Sequence, residues 1–235
     1  MKILLSPAKT FRKQPLLDVP AGQTPQDMET TEQLHDELKK LTVAQWQKQF
    51  KLSEKAALEN QARMNQPQPV MAALAAFYGE VFRNFQAETL SGEDWRYCEE
   101  HLRILSAYYG LLRPLDFIQP YRLDPLDKAG TLTPLKLWKP LLKRVLDGEK
   151  VLILASQEYA RMVDASDAVT VQFVKNGRKA PSMEAKKLRG RMARQIVDRR
   201  MTQRIDARSL DVAGYRYQPE LSTAEVWVFE EGEQE

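Results

Sequence analysis

The sequence predicts an α/β fold, a mixed and largely buried sheet flanked by helices. Two short apolar runs, Ile3 to Leu5 and Val151 to Ala155, show no polar alternation. Such runs read as strands covered on both faces. A long region of helical spacing separates them, and an apolar content of 43% in 235 residues suffices for one core. No linker, low-complexity tract or repeat of fixed period divides the chain, so residues 1–235 read as a single domain.

The first run ends at Ser6-Pro7. Leu16 to Gln26, set among Pro15, Pro20 and Pro25, reads as an irregular surface loop. Helical spacing then covers Thr30 to Leu41, Thr42 to Phe50, Ser53 to Met64 and Val70 to Phe85, with Thr42 and Gln45 placed as a capping box. Leu34, Leu38 and Leu41, like Leu74, Phe77 and Val81, form core stripes. Ser91 with Asp94 caps a further helix, whose Trp95, Cys98, Leu102 and Leu105 face inward. Gly110 ends that helix in the left-handed conformation, and Pro114 suits the first turn of the next element, giving a helix, a hairpin and a short helix. Val169 to Val174 reads as a strand turned by Asn176-Gly177. Leu188, Met192 and Ile196, with Ala185 beside them, are the core stripe of another helix. Glu225 to Phe229 reads as a strand, and the acidic tail from Glu230 as frayed.

Charge is concentrated in one stretch. Lys175 to Arg208 holds twelve Lys or Arg against Glu184, Asp198 and Asp206, while the whole chain is only +3, so the remainder is net acidic. A concentration of this kind draws polyanions, above all nucleic-acid phosphates. On a helical projection Lys187, Arg191 and Arg194 form one ridge opposite the core stripe, with Asp198 a turn later. A solvated helix face has the same pattern. Cys98 is the single cysteine, so no intrachain disulfide is expected. With only His35 and His101 besides, the usual zinc or iron–sulfur ligand sets are not expected, and neither is a cofactor; a site of carboxylates alone stays open. His101 and Cys98 themselves read as packed side chains. The short apolar run at the amino terminus does not match a signal peptide, and no run reaches membrane-spanning length, so a soluble, cytoplasmic protein with no membrane partner is expected.

Two clusters could carry chemistry. Ser6-Pro7-Ala8-Lys9-Thr10 puts two hydroxyls and an ammonium just beyond a buried strand, without the glycines of a phosphate-binding loop. Ser156, Glu158 and Tyr159 follow the second buried strand. Open α/β sheets bind ligands outside the carboxyl ends of such strands, so a pocket of Ser6, Lys9 and Ser156, with Arg122 nearby, is expected if the two strands are neighbours. No serine lies in a nucleophile-elbow sequence. The unit from Ser91 to Leu123 can present amides to a phosphate, with Arg113 and Arg122 adding charge. It has one glycine where a DNA-binding helix-hairpin-helix has two, and an ordinary helix corner fits it as well.

Taken together, SPAKT at Ser6 to Thr10, QAET at Gln86 to Thr89, LRILSAYYGLLRPLDFIQPYRL at Leu102 to Leu123, LASQEY at Leu154 to Tyr159 and KKLRGRMAR at Lys186 to Arg194 resemble the successive motifs of the YaaA family of bacterial peroxide-stress proteins. The resemblance implies one α/β domain with a positively charged cleft and a helix-hairpin-helix-like element. It further implies DNA binding and protection against hydrogen peroxide by limiting damage from intracellular free iron. The expected DNA contacts are Tyr109, Gly110, Arg113, Lys186, Lys187, Arg189, Arg191 and Arg194. The chain departs from the family pattern at Asp124-Pro125, where the family continues with Glu-Met, at Ile153-Leu154, where it has Asn before LAS, and at Leu188-Arg189-Gly190, where it has Ala-Arg-Gly. Duplex or branched DNA, held by shape rather than sequence, is the expected partner, since no helix-turn-helix or zinc-finger pattern is present. The alternative is an enzyme acting on a nucleotide or nucleic-acid base, with Ser6, Lys9, Ser156 and Lys186 in one pocket that takes a small phosphorylated ligand. A third reading is a stress-related interaction protein without a pocket.

Overall fold

The computed structural model describes residues 1–232. Strand β1 (Lys2–Leu5) is followed by helices α1 (Met28–Lys39), α2 (Val43–Phe50) and α3 (Glu54–Asn65). Next come β2 (Met71–Ala72), α4 (Ala73–Ala76), α5 (Glu80–Phe85), α6 (Gly92–His101), β3 (Leu102–Ser106), β4 (Gly110–Leu112) and β5 (Phe117–Ile118). Then follow α7 (Pro134–Val145), β6 (Val151–Leu154), α8 (Gln157–Ala160), β7 (Ala168–Lys175), β8 (Arg178–Lys179), α9 (Ser182–Asp198), β9 (Asp211–Val212), β10 (Tyr215–Tyr217) and β11 (Val226–Glu231). The expected capping boxes at Thr42–Gln45 and Ser91–Asp94 are both formed.

The mixed sheet has nine strands among the described residues, in the order β4-β3-β1-β6-β7-β11-β10-β9, with β8 paired to β7. Its centre, β3-β1-β6-β7-β11, is parallel, and the remaining pairings are antiparallel. Successive strand side chains point to opposite faces, so the burial of Ile3, Leu4 and Leu5, and of Val151 through Leu154, shows both faces covered. From β1 the chain crosses to β3 on one side, whereas from β6 it moves to β7 on the other. The topological switch point therefore lies between β1 and β6.

Three expectations change. The helix read as reaching Leu105 stops at His101, because Leu102 turns extended and Leu102–Ile104 pairs with β1. The helix-hairpin-helix expected at Ser91–Leu123 is thus a helix followed by a β-hairpin, with sheet pairing outweighing local helical spacing. The single helix read at Val70–Phe85 is interrupted, since Tyr78 donates its amide to Thr10 O and Arg12 donates to Ala76 O in place of helical bonds. Finally, Glu230 and Glu231 are not frayed: they pair with β10, and Glu231 accepts a 3.0 Å ion pair from Lys175. The rest of the predicted tail, 233–235, lies outside the described residues. Helix α7 had no counterpart in the sequence reading; Pro134 opens it and the indole of Trp138 donates to Ala107 O. No described helix is long and apolar enough to cross a membrane.

A candidate ligand cleft at the strand ends

Beyond the carboxyl ends of β1 and β6 opens a cleft of about 410 Å³. Parallel in-register pairing of the two strands, Leu5 against Leu154, brings together residues 150 positions apart. The Ser156 amide donates to Ser6 Oγ at 2.7 Å, and the two hydroxyls lie 3.4 Å apart. SPAKT contributes Ser6 through Thr10, LASQEY contributes Ser156, Glu158 and Tyr159, and α9 contributes Ser182, Lys186 and Arg189. Three motifs separated in sequence therefore line one space.

Asp124, expected only as a departure from the family pattern, is the organising acid. Its Oδ2 receives Lys9 at 2.8 Å and Arg122 at 2.7 Å, and Tyr159 donates to Oδ1 at 3.1 Å. Burial opposes the charge of Asp124, yet the hydrogen bonds from Lys9 and Arg122 outweigh it and hold the carboxyl below its ordinary range. Glu158 behaves oppositely: burial, then the neighbouring charge of Asp124, pushes its carboxyl up. Arg122 faces a small adjoining hollow shared with Lys9, Asp124 and Tyr159 rather than the main cleft. The cleft side chains Lys9, Lys186 and Arg189 are matched in number by Glu80, Asp124 and Glu158, so the space is charge-balanced where a basic cleft was expected. Glu80 is itself paired with Arg83 at 3.1 Å. Among the described residues no group of three or more His, Cys, Asp or Glu is arranged to hold a metal ion.

The residues expected at a DNA surface divide in two. Lys186, Lys187 and Arg191 are exposed, with Lys187 and Arg191 beside a second hollow that includes Tyr215. Arg194 is spent inside the molecule: it pairs with Asp198 at 2.7 Å and donates to Phe85 O, Gln86 O and Thr89 Oγ1, which closes the end of α5. Tyr109 and Gly110 are buried, and the Tyr109 amide is taken by Ser106 Oγ at 2.9 Å. A Cβ on Gly110, at φ +76°, would meet the Trp138 ring at 2.6 Å. Neither residue presents a free amide to a surface ligand, as the hairpin reading required. Arg113 is tied to buried Asp116 at 2.8 Å and to Thr24 O. A tight turn between two helices occurs instead at α2–α3, where Lys51 takes the left-handed conformation and Ser53 caps the second helix. The signal for Asp124 was present in principle, as an Arg and an Asp two apart in the proline-bounded segment Pro120 to Pro125. The family model described as Peroxide stress protein YaaA matches residues 1–221, a span that holds every residue of the cleft.

Proposed function

The chain belongs to the YaaA family of peroxide stress proteins, and from that premise we propose that it binds DNA in the hydrogen peroxide response and limits damage linked to intracellular free iron. The supporting observation is that Lys186, Lys187, Arg189 and Arg191 have no carboxylate within 4.0 Å among the described residues, whereas Lys175, Arg194, Arg200 and Arg204 are paired. Exposed Arg178 and Lys179 on β8 extend the unpaired set. These groups contact phosphates, so duplex or branched DNA is held by backbone and shape. If about four phosphates are neutralised, log affinity falls against log salt with a slope of roughly −4, and replacing Lys187 and Arg191 together by Gln flattens it by about 2. Salt-insensitive binding, or an unchanged slope in the double variant, rejects this reading.

A second reading is favoured by the cleft itself: an enzyme acting on a nucleotide or nucleic-acid base. Ser6, Lys9, Ser156 and Lys186 meet there with Asp124 and Glu158 at the switch point of the sheet. Lys9→Met leaves Asp124 with Arg122 as its remaining cation. It should weaken a small ligand of the cleft by disturbing the Asp124, Arg122 and Tyr159 cluster that shapes its wall, while leaving most long-DNA affinity, because one residue matters little among many contacts on a polyanion. Equal loss of both affinities would mean a single continuous site.

A further inference from the structure

The charges of the cleft are sorted by position. Lys9 and Arg122 gather on Asp124 where the strands end, and both Asp124 oxygens are already engaged. Glu158 lies at the same end, and among the described residues no cation approaches within 4.0 Å of it and no hydrogen bond satisfies it. Its carboxylate is free to accept from a ligand. On α9 the spacing of Ser182, Lys186 and Arg189, four and then three residues, aligns them as one ridge into the cleft. Arg189 Nε is shielded from solvent and has no partner, and burial alone, with no acid nearby, lowers the pKa of its guanidinium. Burying a charge without a partner is costly, and an anion bound beside the guanidinium in the cleft offsets part of that cost.

We infer that the cleft binds a nucleotide in one orientation, with its phosphate on Lys186 and Arg189 and the N–H edge of its base on Glu158. The inference rests on the reading of the cleft as a nucleotide site and adds its polarity and base preference. A volume of about 410 Å³ suits a ligand of that size. Guanine fits best, because its adjacent ring and amino N–H groups match the two oxygens of a carboxylate. Uracil offers one N–H between two carbonyl oxygens, which a carboxylate repels.

The test is calorimetric titration of the full chain with guanosine 5′-monophosphate, uridine 5′-monophosphate, guanosine and inorganic phosphate. The guanine nucleotide should bind at least about tenfold more tightly than the uracil nucleotide, and at least about tenfold more tightly than guanosine. Lys186→Gln alters an exposed side chain and spares the core. It should weaken the guanine nucleotide by about tenfold and leave guanosine unchanged. Glu158→Gln, also exposed, should erase the preference between the two nucleotides. Equal affinity for the two nucleotides, or Lys186→Gln and Arg189→Gln proteins that bind like the parent, overturns the orientation while leaving a nucleotide site standing. If neither nucleotide binds at millimolar concentration and a duplex with an unpaired guanosine is not preferred over a fully paired one, both the orientation and the site fail. A duplex preference that Lys186→Gln abolishes supports the same polarity, with DNA supplying the nucleotide.

Discussion

Cys98 is the one residue whose chemistry the peroxide response would first bring to mind, and its surroundings remove it from that role. It is fully buried on α6, and burial, then the charge of Asp94, pushes its thiol well above the ordinary range. Peroxide reacts with thiolates, and this thiol stays protonated. After exposure to peroxide, mass spectrometry of the folded protein should show Cys98 unmodified, and Cys98→Ala should behave in peroxide-treated cells as the parent does; a sulfenic acid at Cys98 would contradict the first expectation, and a weaker variant the second. Asp124 gives the second expectation at this scale. Its folded pKa lies below the unfolded value of about 3.9, so its ionised form stabilises the native state above that pH, and the contribution is lost as pH falls through the folded pKa. Asp124→Asn should cost about 1–3 kcal/mol at neutral pH and flatten the acid limb of a stability–pH curve. An acid limb identical to the parent's would show the cluster of Lys9, Arg122 and Tyr159 to be energetically idle. Ser6 and Ser156 were legible because a short apolar run marks a covered strand and the strand's end marks a ligand position. Asp124 was not, since its place depends on a loop returning from β5 over strands distant in sequence.

At the scale of elements, the KKLRGRMAR segment crosses α5 and reaches the QAET turn at its end. Gly190 lets α9 lie against the backbone of α5, for a Cβ there would run into the Val81 carbonyl, and Arg194 closes the α5 end at Phe85 and Gln86. Gly190→Ala should cost about 1–3 kcal/mol and lower Tm by several degrees. An unshifted thermal midpoint would show that α5 yields easily. Gly110→Ala should likewise destabilise, by strain at positive φ and by contact with Trp138, while the folded fraction keeps its DNA affinity. Reduced affinity in the folded variant would return the hairpin to the DNA surface. The left-handed Gly110 was legible and the element around it was not. Leu102, Ile104 and Leu105 suit a helix face and a covered strand alike, and only the neighbouring β1 decides between them.

For the whole molecule, β11 shows where local pattern and global role part. Its apolar residues announced a strand, but nothing local placed it between β7 and β10. Trp227 and Phe229 are buried there, and the Arg208 guanidinium stacks 4.3 Å over the indole. A chain cut after Leu221, where the family match ends, loses that strand and strips β10 and β9 of their support. It should lack the near-ultraviolet circular dichroism of a packed core, whereas a chain cut after Gly232 should retain it. A native spectrum from the shorter chain would show the parallel centre to be self-sufficient. The pairing of β1 with β6 at the switch point also sets an order of events during synthesis. Ser6 leaves the ribosome early, yet it waits for Ser156 and then for Arg189 before a cleft encloses any space. An unfinished or prematurely released chain therefore lacks the cleft altogether, because that space is among the last things it acquires.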